Sequence, residues 1–210
     1  MMRVMLATIL MLFGMMQSFA DSNETRLQRY LENYKSLTGQ FTQMISSEKS
    51  QHIQSSAGEF WIQKPNRFRW HYSTPYVQKI ISNGEKLWIY DEDLEQVTIK
   101  EASQSIESSP LAVIVGATSL DTAFDVTPVV DSLDDLQWLR LIPNAESNSF
   151  EFIEVGFKNG LLSKMRLKDN FGQTTHLTFT DVMVDSSIDT NRFEFAVPEG
   201  ADVFNEIVEQ

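Results

Sequence analysis

Cysteine is missing altogether from the 210 residues. No disulfide framework can form and no thiolate can ligate a metal, so the fold must be held by packing. Basic residues are scarce as well: 17 Lys and Arg stand against 29 Asp and Glu, a formal net charge of −12. A chain this acidic is unsuited to non-specific nucleic-acid binding and is repelled by anionic membrane surfaces. Its longest apolar run falls short of the roughly 20 residues that a membrane-spanning helix needs. There is no Gly-rich phosphate loop, no Gly-x-Ser-x-Gly elbow, no internal repeat and no low-complexity tract. His52, His71 and His176 lack the spacing of metal ligands and read as ordinary strand or loop histidines. Asp91, Glu92 and Asp93 cluster, but at a predicted turn where acids are simply solvated. Neither an enzyme site nor a metal or cofactor is expected.

What the chain does have begins with Met1-Met2-Arg3, an apolar stretch over 4–13, and Ser18-Phe19-Ala20. A positive start, a short apolar centre and small residues at the cleavage positions predict a signal peptide over 1–20, removed before Asp21. No cysteine follows to take a lipid, so the expected product is a single unanchored domain, 21–210. Loss of Arg3 leaves 16 bases against 29 acids, so the net charge becomes 16 − 29 = −13.

Residues 58–97 organise that domain. Trp61, Trp70 and Trp88, three of the four tryptophans, lie here. Phe68, Trp70 and Tyr72 recur at spacing two, which aligns them on one face of a strand. Asn83-Gly84 predicts a tight hairpin, while Pro65-Asn66 and Thr74-Pro75 are further breaks. The result is an antiparallel meander with a broad aromatic face. Upstream, Leu27, Tyr30, Leu31, Tyr34 and Leu37 repeat at three and four, predicting an amphipathic helix over 23–37 with Ser22 or Asn23 as its cap. A strand is expected over 41–47 and a polar connection over 48–56.

Beyond Val97 the sequence is polar over 103–109. Pro110-Leu111-Ala112-Val113-Ile114-Val115 then precedes Gly116, a short helix apolar on nearly all sides that something must cover. It reads either as a buried connector or as a lid element. Strands are predicted over 124–130, 136–142, 150–157, 161–168, 173–180 and 191–195. In 161–168, Leu161, Met165 and Leu167 share one face, with Lys164, Arg166 and Lys168 on the other. Leu177 and Phe179 point inward on the next strand. The fold class is mainly β: a half-open antiparallel barrel of about eleven strands covered by short helices, leaving room inside for an apolar guest. A closed sandwich core remains the plainer account of the same apolar surface.

Gly58-Glu-Phe-Trp-Ile-Gln-Lys-Pro-Asn-Arg-Phe-Arg-Trp, Ser82-Asn-Gly, Leu87-Trp-Ile-Tyr-Asp and Leu94-Glu-Gln-Val resemble the outer-membrane lipoprotein carrier family, LolA. The likeness runs over nearly the whole mature chain, through Ser109-Pro110-Leu111 to the 193–200 ending. It implies a periplasmic, monomeric carrier of triacylated lipoproteins. Such a carrier takes cargo from an inner-membrane lipoprotein-releasing ABC transporter complex and passes it to an outer-membrane lipoprotein receptor. By the same resemblance Phe68 serves cargo transfer, and Trp70, Ile80, Leu111, Val113 and Ile114 line the cavity and lid; Trp88, from the same aromatic meander, is expected in the cavity with them. Family members commonly carry Arg before the motif's Pro, bonded to lid-helix carbonyls. Here Lys64 stands there, keeping the charge but losing the planar fork, which implies a weaker or differently arranged latch. The competing readings are the related outer-membrane receptor, which needs a cysteine after the signal peptide, a periplasmic lipid-binding protein with other cargo, and a periplasmic hydrolase or lyase.

Overall fold

The computed structural model describes residues 28–31, 33–47, 50–107, 112–116, 119–129, 134–145 and 149–207. The expected signal peptide, the helix cap at Ser22 or Asn23, Leu27, Pro110 and Leu111 lie outside these residues. Twelve strands build one sheet: β1 (Ser36–Ser47), β2 (Ser50–Gln63), β3 (Arg67–Thr74), β4 (Gln78–Asn83), β5 (Lys86–Asp91) and β6 (Gln96–Glu101) form its first half. After the helices come β7 (Phe124–Val129), β8 (Gln137–Pro143), β9 (Phe150–Lys158), β10 (Leu161–Asp169), β11 (Gln173–Val184) and β12 (Asp202–Asn205). The spatial order is β12-β6-β5-β4-β3-β2-β1-β11-β10-β9-β8-β7. Strands β1 and β11 join the two halves as neighbours, and β7 never meets β12, so the barrel stays unclosed.

The twelfth strand corrects the expected count of about eleven, and it pairs parallel to β6 rather than antiparallel. All four of its residues are exposed, so it carries no apolar alternation by which sequence could reveal it. The strand expected over 191–195 is instead a 3-10 turn, Thr190–Phe193, capped by the Asp189 carboxylate accepting from the Asn191 N–H. Strand β2 also starts earlier than expected, at Ser50. Ser55 and Gln54 pair with Met44 and Ile45 of β1, and a backbone ladder needs no apolar side chains to form.

Where turn chemistry was legible, it acts as expected. Gly84 takes φ +99°, and Asn83 Oδ1 accepts from the N–H groups of Glu85 and Lys86 at 3.0 and 2.9 Å. In β10 the alternation shifts: the register slips between Leu162 and Lys164. The inward residues are therefore Leu162, Met165 and Leu167, while Leu161 is exposed. Leu37, assigned to the helix by spacing, lies in β1 opposite Ile62 and is buried.

The helical residues are 28–31 and 33, then Ala102–Glu107, Ala112–Val115 and Leu120–Ala123. The first of the three ranges was missed because only Ala102 and Ile106 are apolar in it. One apolar cluster unites residues of β1–β3, β5 and β7–β11 with Leu31, Ile106, Val113, Ile114 and Leu120 from the helical segments and with Tyr34 just before β1. A sheet whose distant strands share one cluster on one face is wrapped around it. A separate cluster of Ile81, Trp88, Tyr90 and Val97 lies on the outer face, with Phe195 and Ala201 packed on it.

Candidate functional site

Period-two alternation in β3 sends Phe68 and Trp70 into the concave face, both buried, with Tyr72 packed beside them. Trp70 is the centre of an aromatic stack. Its ring lies 4.2 Å from Phe41 and 5.4 Å from Phe60, and the edge of Phe179 approaches at 6.3 Å. Offset and edge-on contacts of this kind each add about 0.5–1.5 kcal/mol beyond area burial. Tyr72 donates its hydroxyl to Gln43 Oε1 at 3.2 Å, and burial pushes its pKa up. Ile80 of β4 packs against the same cluster.

The cover comes from helical segments too short to stand alone. Ala112, Val113, Ile114 and Val115 are all buried, so this single turn has no wet side and exists only by packing on the sheet. Side chains of the cover occupy the space inside the curve. The expected room for a guest is therefore filled, in this arrangement, by Val113, Ile114, Ile106 and their neighbours in the cluster.

Lys64 ties cover to sheet. It follows β2, and its Nζ donates to the Leu31 carbonyl in the N-terminal helical segment. The same ammonium lies 3.8 Å from the centroid of the Tyr34 ring. Its methylene stem runs against Gly116, where an added Cβ would come within 2.6 Å of the Lys64 Cε. One side chain thus touches both the N-terminal helical segment and the end of the Ala112–Val115 turn. Tyr34 is buried with a hydroxyl that finds no hydrogen-bond partner among the described residues. That burial drives its pKa far above the ordinary tyrosine value, and Tyr30, 5.8 Å away, adds to the rise. Tyr30 in turn sets its ring edge-on to Phe157 at 5.4 Å.

The structure brings together Lys64, Phe68, Trp70, Ile80, Val113 and Ile114. It does not bring Trp88 with them. In β5, Leu87 and Ile89 face the concave cluster, so the intervening Trp88 points to the outer face, 6.3 Å from Phe195. Its placement on the cavity wall is corrected on that ground: odd and even positions of a strand cannot share a face. Leu31, Tyr34 and Gly116, the partners of Lys64, were not assigned to the site from sequence. The helical spacing of Leu31 and Tyr34 was visible, but nothing in it pointed to Lys64.

The acidic cluster at the end of β5 has structural partners. Glu92 pairs with Lys79 at 2.8 Å, and Asp91 Oδ1 accepts from the Leu94 N–H. Among the described residues no group of three or more His, Asp or Glu could hold a metal ion.

A half-open barrel roofed by short helices, with one lysine in contact with both sheet and roof, is the class of molecule that these features define. The family model described as outer membrane lipoprotein carrier protein LolA matches residues 32–196. The "Outer-membrane lipoprotein carrier protein" of Methylobacillus flagellatus is 37% identical over 187 residues, covering 89% of this chain and 90% of that one. That of Pseudomonas syringae is 35% identical, covering 97% and 98%. Among solved structures, a LolA superfamily protein from Nitrosomonas europaea shares the fold with a TM-score of 0.50 at 12% identity, over 84% of this chain and 97% of its own. The chain belongs to the LolA family of outer membrane lipoprotein carrier proteins.

Proposed function

We propose that this protein is a periplasmic carrier of lipoproteins that shelters their acyl chains on the concave face around Trp70. The observation that carries the reading is the aromatic face of Phe41, Phe60, Trp70 and Phe179, closed off by helical segments that one lysine holds down. Each methylene withdrawn from water contributes about 0.8 kcal/mol. Ten methylenes thus contribute roughly 8 kcal/mol before ordering costs. An acylated protein cannot cross an aqueous compartment without cover on that scale.

Release has to be as easy as capture. Acyl chains reach the concave face by displacing Val113, Ile114 and their neighbours, so apolar contacts with the lid are exchanged for apolar contacts with the guest. An exchange of like for like has a small net free energy in either direction. Lys64 then sets the cost of opening, through one charge-assisted hydrogen bond and one cation–π contact. Nothing in this cycle requires bond breaking, and Phe68, Trp70, Ile80, Leu111, Val113 and Ile114 act as wall and lid rather than as catalysts.

In this reading the chain is exported by its 1–20 signal peptide and works as an unanchored, monomeric domain of residues 21–210. It takes triacylated lipoproteins from an inner-membrane lipoprotein-releasing ABC transporter complex and yields them to an outer-membrane lipoprotein receptor. The test is binding of an acylated peptide against the same peptide without acyl chains, coupled to mass spectrometry of what co-purifies from periplasm. Saturable binding of the acylated form alone supports the carrier; equal binding of both, or turnover of either, overturns it.

A further inference from the structure

The outer face of the β2–β4 region holds an arrangement that shelter of acyl chains does not use. Trp61 of β2 and Arg69 of β3 are cross-strand partners, so their side chains stand together on the face opposite Trp70. Arg192, from the 3-10 turn, lays its guanidinium over the Trp61 ring, 4.4 Å from the centroid. Arg69 Nη1 reaches the same turn and donates to the Arg192 carbonyl at 3.2 Å. Two guanidinium groups are thereby held near each other; burial, reinforced by the Arg192 charge, lowers the Arg69 pKa.

Among the described residues no carboxylate comes within ion-pair distance of either. Several cations of this acid-rich chain are paired: Lys79 with Glu92, Lys100 with Glu206, Lys158 with Asp135, and Arg140 and Arg166 with Glu154. Arg69 and Arg192 form no ion pair among the described residues. Asp189, the N-cap of the same turn, is occupied in accepting from the Asn191 N–H. The Arg192 guanidinium donates no hydrogen bond among the described residues, and Arg69 uses one. An arginine carries five N–H donors in a rigid fork, and stacking on an indole leaves them directed sideways, free to bind. Like charges gathered on an aromatic floor with idle donors form a receptor for an anion whose oxygens lie in a plane.

We infer that Trp61, Arg69 and Arg192 form a docking site for a carboxylate on an acidic segment of a protein partner, on the side of the sheet away from the aromatic face. Overall charge argues for a protein rather than a lipid surface. A bilayer of anionic lipids meets the field of the whole chain, with its net charge of −12. A single acidic segment meets only what lies within a Debye length of about 8 Å at physiological salt. The inference is independent of acyl-chain binding.

The test titrates the isotopically labelled protein with a tetraglutamate peptide and, in parallel, with inorganic phosphate and with phosphatidylglycerol vesicles. The Trp61 indole and the Arg69 and Arg192 Nε–H resonances report. Saturable shifts with the peptide are expected, weakened about tenfold or more in Arg192→Gln. That variant keeps the backbone carbonyl that Arg69 bonds, so the fold is not at stake. Arg192→Lys, which retains the charge without the fork, is expected to fall between the two. Acylated-peptide binding is unchanged in both variants, which separates this site from the concave face. No response to the peptide, a response to phosphate or vesicles in its place, or a response that survives Arg192→Gln overturns the assignment.

Discussion

The Lys64 ammonium lies 3.8 Å from the centre of the Tyr34 ring while donating to the Leu31 carbonyl three residues earlier. Two contacts of one charge thus hold the end of the N-terminal helical segment and the residue just beyond it. A desolvated cation over an aromatic ring contributes about 2 kcal/mol. The ammonium sits as a point charge on the ring face, with its stem against Gly116.

Lys64→Met keeps the stem and removes the charge. It is expected to speed uptake and release of a fluorescent acyl probe about tenfold, the kinetic equivalent of losing roughly 1.4 kcal/mol of closure. Stopped-flow fluorescence reads this directly, and unchanged rates would remove Lys64 from the latch.

Gly116→Ala attacks the same contact from the other side. The position has φ +70°, which costs a residue with a side chain about 1–2 kcal/mol, and the new Cβ displaces the Lys64 stem. Faster hydrogen exchange over 112–116 and a lower melting temperature are expected. Protection equal to that of the parent protein would show that the lysine is not pressed against this turn.

Phe68→Glu sets a carboxylate in the buried aromatic cluster, and lipoprotein transfer is expected to fail. Trp88→Leu, on the outer face beside Phe195, is expected to lower stability by about 3 kcal/mol at most, as large-to-small core changes do, while acylated-peptide binding persists. Transfer measured alongside urea unfolding separates the two; loss of binding in the Trp88 variant would return that residue to the cavity wall.

Much of this was legible in the sequence, and the failures have identifiable causes. Phe68, Trp70 and Tyr72 announced their face because strand geometry repeats every two residues. Trp88 was misplaced by grouping it with the other aromatics of its meander, although the Leu87-Trp88-Ile89 alternation already set it opposite its neighbours. Leu161 was misread because a one-residue slip in register before Lys164 leaves no mark in composition. Strand β12 was invisible because its ladder is made by backbone against β6, with every side chain in solvent. The pairing of Lys64 with Tyr34 joins residues from separate elements, and such closeness has no local signature.

Glu154 offers a test of what holds the outer face. It is 3% exposed, accepts from Arg140 Nη2 at 2.6 Å, and is ion-paired with Arg166, whose Nε lies 2.9 Å from its other oxygen. Those arginines also lie over Phe152 and Trp138. Glu154→Gln is expected to cost about 1–3 kcal/mol in urea unfolding, because the arginines, unlike the carboxylate, still reach water. A neutral result would make the cluster dispensable.

Acid should weaken the fold through His71 and His176. Burial lowers both pKa values. Lys79 and Arg69 reinforce the effect at His71 against the opposing pull of Glu59 and Glu92, and Arg166 and Lys164 reinforce it at His176. The unfolded chain therefore takes up protons first. Stability is full above the ordinary histidine value of about 6.5 and declines as pH falls through it toward the depressed folded values. His71→Gln with His176→Gln should flatten that decline in melting curves between pH 7 and 5; an unaltered slope would assign it to the carboxylates.

The gap between β7 and β12 has a mechanical consequence. In a continuous ring the girth is dictated by strand number and stagger, and widening it means tearing hydrogen bonds. Here the two rims can splay or draw together with every ladder intact. One scaffold can thereby grip tails of unequal bulk.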